Sequence, residues 1–86
     1  MKPLFYEKAW EDYLDWQIND RKISGKINAL IVDIQRNGLM KGIGHPEKLK
    51  HRPEYSRHIN DEHRLVYIQD EYGNLFIISC KGHYIN

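Results

Sequence analysis

The sequence predicts an α+β fold, with two N-terminal helices packed on one face of a small, mainly antiparallel twisted sheet. Three observations lead there. Between Arg21 and Arg36, the apolar residues Ile23, Ile27, Leu30, Ile31 and Ile34 recur at a period of about 3.6. Between Tyr55 and Cys80, three β-prone runs, YSRHI, HRLVYIQD and LFIISC, are joined by the short polar turns NDE and EYGN. Helices and strands are also segregated along the chain rather than alternating, which argues against a parallel βαβ sheet.

The elements follow in order. KPLFY is short, aromatic and β-prone, and reads as a first strand whose neighbour in the sheet is left open. EKAWEDYLDWQIN places Ala9, Trp10, Tyr13, Leu14 and Gln17 at helical spacing, with Trp16 at the edge of that face. Asp20 is positioned to cap the second helix, and Asn37-Gly38 ends it. Residues 37–54, NGLMKGIGHPEKLKHRPE, hold three glycines and two prolines without a sustained period, so they read as a loop with a turn of helix at EKLK. The three later runs form an antiparallel meander, with Tyr55, Arg57 and Ile59 on one side of the first strand and Ser56 and His58 on the other. The helices cover one face, and the uncovered face is expected to gather Arg57, Arg64 and His83 opposite the basic loop.

With 86 residues the chain has material for one domain, residues 1–86, and 41% apolar content supports a modest core. The N-terminal residues lack a signal-peptide pattern, and no apolar run approaches a membrane span, so a cytoplasmic protein is expected. Cys80 is the single cysteine, which excludes an internal disulfide and a thiolate zinc cluster. The remaining histidines and carboxylates lack metal-ligand spacing, and no cofactor motif is present. The net charge of +1 conceals a local asymmetry. Residues 1–20 are acidic through Glu7, Glu11, Asp12, Asp15 and Asp20. Residues 41–58 carry Lys41, Lys48, Lys50, Arg52 and Arg57 with His45, His51 and His58. Such a stretch attracts a polyanion while the whole chain stays near neutral, although a solvated lysine-rich loop gives the same charge pattern.

Four side chains invite a chemical reading, each beside a plainer one. Glu47 is either an exposed loop carboxylate or a general base. Arg64 is either paired to Asp61 or Glu62 or a two-pronged phosphate clamp. His83 is either incidental or a general acid, since an unperturbed imidazole titrates at about 6.5. Tyr84 either stacks on a base or plugs the sheet edge. Base, clamp, acid and stacking aromatic are the parts with which a ribonuclease attacks phosphate through the ribose 2′-hydroxyl without a metal.

FYEKAWEDYLDWQ, GHPEKLKH, SRHINDEHRLVY and CKGHY, taken together and in this order, resemble the YoeB/Txe toxins of the RelE superfamily over nearly the whole chain. The resemblance implies a ribosome-dependent endoribonuclease that cuts messenger RNA in the ribosomal A site. It implies a RelE-like, microbial-ribonuclease-like fold, a homodimer, and neutralisation by a cognate YefM/Axe-like antitoxin whose disordered tail folds over the toxin. It assigns the catalytic glutamate to Glu47, a functional lysine to Lys50, the phosphate-binding arginine to Arg64, and the C-terminal pair to His83 and Tyr84. An arginine that contacts RNA or the ribosome maps onto Arg57. Lys41, Lys48 and Arg52 are expected to attract phosphate. Three departures stand out: His58 where relatives carry a second arginine, Gly82 where they carry an aromatic residue, and Ile85-Asn86 beyond the tyrosine. The rival expectation is a non-catalytic module that occupies RNA or the ribosome and has no use for His83.

Overall fold

The computed structural model describes residues 2–82. Seven elements are present: β1 (Leu4–Phe5), α1 (Glu7–Asn19), α2 (Arg21–Asn37), β2 (Glu47–Lys48), β3 (Tyr55–His58), β4 (Arg64–Gln69) and β5 (Leu75–Ser79). The strands form one sheet in the order β1-β5-β4-β3-β2. β3 through β5 pair antiparallel, as the meander predicts; β2 adds antiparallel to β3, and β1 adds parallel to β5 with Leu4 opposite Phe76. The open question of where the first strand sits is thereby answered: it makes the outer edge, beside the last strand.

Local chemistry accounts for the boundaries. The Asp20 carboxylate accepts from the Ile23 N–H at 3.3 Å and caps α2, while the Asp20 N–H donates to Trp16 O and closes α1. Gly38, at φ 99°, ends α2 in a conformation that side chains resist. Asn60 Oδ1 accepts from the N–H groups of Glu62 and His63 to build the β3–β4 turn. Asp70 does the same for the β4–β5 turn, with Tyr72 and Asn74 as donors.

The α2 stripe packs as its period predicts: Ile27, Leu30, Ile31 and Ile34 are buried against Leu65, Tyr67, Leu75 and Ile77 of the sheet. α1 is rotated from its expected face. Ala9 and Asp12 are buried and Tyr13 and Trp16 pack on the core, while Trp10 and Leu14 remain largely exposed. The reason is Trp16, whose indole Nε1 donates to the Cys80 carbonyl at 2.9 Å and sets the helix's roll. Cys80 is fully buried, and burial pushes its thiol up to about 12, so it behaves as a small core residue. The expected helical turn at EKLK is absent. Glu47 and Lys48 instead form an edge strand, paired with Ser56 and Tyr55, because the loop's backbone groups find partners on β3.

Among the described residues, no helix is long and apolar enough to cross a membrane, and no group of three or more His, Cys, Asp or Glu residues is placed to hold a metal ion.

Candidate active site

Strand alternation divides the basic segment between the two faces of the sheet. On β3, Arg57 points under the helices and His58 points to the uncovered face. His58 lies opposite Arg64 in the β3–β4 ladder, and Glu47 lies opposite Ser56 in the β2–β3 ladder. Residues directly opposite share a face, as do Ser56 and His58 two positions apart. Glu47, His58 and Arg64 therefore stand on one surface, away from the helices.

A fourth group joins them that sequence reasoning passed over as a catalytic candidate. The His45 ring lies 5.3 Å from the His58 ring, centroid to centroid. It is placed by Gly44, whose carbonyl accepts from the His58 N–H at 2.7 Å. Gly44 adopts φ 83°, and a Cβ there would crowd the His58 carbonyl oxygen at 3.2 Å and Arg57 Cβ at 3.3 Å, so glycine suits the loop's close approach to β3. The GHP tripeptide was the available signal. Burial lowers the His58 pKa, the positive charges of Arg64 and His45 lower it further, and Glu47 and Asp61 act in the opposite direction. The site thus sets a neutral imidazole between cationic and anionic neighbours.

Arg64 is half-buried, and its Nη1 donates to the carbonyls of Asn60 at 2.9 Å, His63 at 3.3 Å and Asp61 at 3.4 Å. The turn backbone thereby holds the guanidinium beside His58. Gly82 is fastened to the same place. The Arg64 N–H donates to the Gly82 carbonyl, and the Gly82 N–H donates to His63 Nδ1, both at 2.9 Å. Gly82 adopts φ 96°, which a side chain would strain, so the departure at this position suits the observed bend. His83 and Tyr84 lie outside the described residues.

Arg57 requires a correction. It is fully buried, and its five N–H donors are all engaged: Nε with the Tyr67 hydroxyl at 3.0 Å, Nη1 with Asp33 Oδ2 at 2.5 Å and Ile43 O at 3.0 Å, and Nη2 with Gly38 O and Lys41 O at 2.8 Å. A guanidinium so enclosed has no donor for phosphate. Its work is to fold the 38–43 loop against α2, and Tyr67 completes the network by donating to Leu39 O at 2.6 Å.

The remaining basic residues divide. Lys48 alternates away from Glu47: it lies opposite Tyr55, with Nζ 5.8 Å from that ring's centroid, and donates to the carbonyls of Leu49 and Arg52. Its expected place among the phosphate-attracting groups of the site is not where the strand puts it. Arg52 pairs with Glu54 at 2.9 Å. Lys41 and Lys50 are exposed on the loops flanking β2.

Two helices cover one face of a five-stranded mixed sheet, and the ionisable cluster stands on the other. A family model described as "YoeB-like toxin of bacterial type II toxin-antitoxin system" matches residues 5–84. The YoeB toxin of Synechocystis sp. is 51% identical, over 98% of this chain and 98% of its own. Among solved structures, the YoeB dimer from Staphylococcus aureus superposes with a TM-score of 0.90 at 50% identity, covering 98% of both chains. The YoeB–YefM complex from the same organism matches with a TM-score of 0.90 at 49% identity and the same coverage. The chain belongs to the YoeB toxin family of bacterial type II toxin–antitoxin systems.

Proposed function

We propose that this toxin is a ribosome-dependent endoribonuclease that cuts messenger RNA in the A site and so stops translation. The observation that carries the reading is the placement of Glu47, His58 and Arg64 on one uncovered face, with Gly82 bonded to the Arg64 backbone. Gly82 immediately precedes His83 in the sequence.

The reaction follows from these groups. Glu47 takes the proton of the ribose 2′-hydroxyl, and the oxygen attacks the adjacent phosphorus. Arg64 holds the phosphoryl oxygens as negative charge builds on them, with Lys50 adding positive charge from the neighbouring loop. The P–O5′ bond breaks and His83 gives its proton to the leaving oxygen. The products are a 2′,3′-cyclic phosphate and a 5′-hydroxyl, and each proton moves to or from a side chain. Tyr84 stacks on a base beside the cut. Lys41, Arg52 and His58 contribute to the field that draws in RNA, while Arg57 acts only through the fold.

The protein works in the cytoplasm, where ribosomes and their messages are, as a homodimer. A YefM-like antitoxin neutralises it, as the YoeB–YefM complex of Staphylococcus aureus suggests for a relative of 49% identity. The test is induction in growing cells. Wild type is expected to halt growth, and His83→Gln is expected to abolish that effect while accumulating as folded protein. A fully inhibitory His83→Gln overturns the assignment and favours a non-catalytic blocker.

A further inference from the structure

We propose that His63 is a positioning residue for this reaction: its imidazole fastens the main chain at Gly82, beside Arg64 and immediately before the assigned acid in the sequence. The proposal rests on the nuclease reading and adds a residue to it.

Residues 80 to 82 are each tied to the body of the protein. The Cys80 carbonyl accepts from Trp16 Nε1 at 2.9 Å. Lys81 lies over the Trp16 ring, 5.0 Å from its centroid, and pairs with Asp15 at 3.3 Å. Gly82 is held at both of its polar groups, by the Arg64 N–H and by His63 Nδ1. The His63 ring cannot swing away freely, because it packs edge-on against Trp16 with centroids 4.8 Å apart. Its own backbone N–H donates to Asn60 Oδ1 at 2.8 Å.

Accepting at Nδ1 requires the neutral ring with its proton on Nε2. The charged groups around the contact are Arg64 and Glu62 beside it in the chain, Asp61 in the turn, and the Asp15–Lys81 pair at Trp16. His63 and Trp16 thus form a clasp made from α1 and the β3–β4 turn, and a glycine passes through it. Releasing Gly82 returns backbone freedom to Gly82 itself, and a proton donor has to be placed within hydrogen-bond reach of the leaving oxygen.

Two variants separate the acceptor from the ring. His63→Phe keeps the edge contact with Trp16 and removes the acceptor. His63→Asn loses the ring but puts Oδ1 about where Nδ1 stood. In a reconstituted translation assay, His63→Phe is expected to lower kcat about tenfold or more with KM within about threefold, and His63→Asn to stay within about threefold of wild type in both. Amide NMR of the free wild-type protein provides a readout independent of cleavage: the Gly82 N–H resonance is expected to move with pH in step with the His63 ring, and to lose that dependence in His63→Asn. Equal kcat for His63→Phe and wild type, or a Gly82 resonance indifferent to His63 titration, overturns the proposal. A wild-type protein that leaves messages intact instead removes the nuclease reading, and the Gly82 resonance still decides the clasp.

Discussion

Arg57 Nη1 lies 2.5 Å from Asp33 Oδ2, joining β3 to α2 across 24 residues of sequence. This pair anchors the loop that carries His45 and leads into Glu47, so the site's geometry depends on an arginine that is fully enclosed in the fold. Arg57→Ala leaves a hydroxyl, a carboxylate and three carbonyls without their donor, and is expected to cost about 3 kcal/mol or more. Arg57→Lys is expected to recover only part of that, since one ammonium cannot match the planar fork. Urea denaturation measures both. An Arg57→Ala variant as stable as wild type but weak in RNA binding would return Arg57 to the surface role.

The same pair makes stability fall in acid. Hydrogen bonding to Arg57 holds the Asp33 carboxyl below the ordinary carboxylate range, helped by the Ile43 N–H and the Asn37 side chain. A depressed folded pKa contributes stability above the unfolded value, about 3.9, that is lost as pH falls through the folded value. Urea midpoints followed downward from about pH 6 are expected to drop more steeply in wild type than in Asp33→Asn, which starts lower and changes less.

Two glycines make opposite predictions. Gly42 sits at φ 119°, and a Cβ there would overlap Asp33 Oδ2, so Gly42→Ala is expected to dislodge the loop and destabilise. Gly25 lies within α2, and a Cβ at that position would have no neighbour within 4 Å. Gly25→Ala is expected to raise stability by about 0.5–1 kcal/mol through helix propensity and a restricted unfolded chain. Thermal melts of the two variants check the pair.

His58 reports on the site itself. Its pKa is lowered by burial, then by Arg64 and His45. Arg64→Gln is therefore expected to raise the His58 midpoint in an NMR titration, and no change would place the guanidinium elsewhere. The sign for stability follows: the unfolded chain binds the proton first, so His58 weakens the fold as pH drops through the ordinary imidazole range, and His58→Gln removes that contribution.

Much of this was legible in the residues. The period of α2 identified its buried face correctly because four isoleucines and a leucine leave one solution. The meander was readable from its turn residues. Glu47 and Lys48 were not readable as a strand, since two residues among glycines and prolines carry no period and pair only because β3 is beside them. Arg57 shows how charge can mislead: alternation had already set it on the side of Tyr55 and Ile59, but its acceptors come from residues 33–43 and 67, too far along the chain to be seen together. The roll of α1 and the fastening of Gly82 depend on bonds spanning 64 and 19 residues, which no local pattern encodes.

The function proposed for this toxin is cleavage of messages on the ribosome by one face of its sheet. The most direct measurement is a translation reaction programmed with a defined message, with 5′ ends mapped with and without ribosomes for wild type, Glu47→Gln and His83→Gln. New ends within A-site codons that require ribosomes and vanish in both variants are expected. Blocked translation on an intact message would contradict that function.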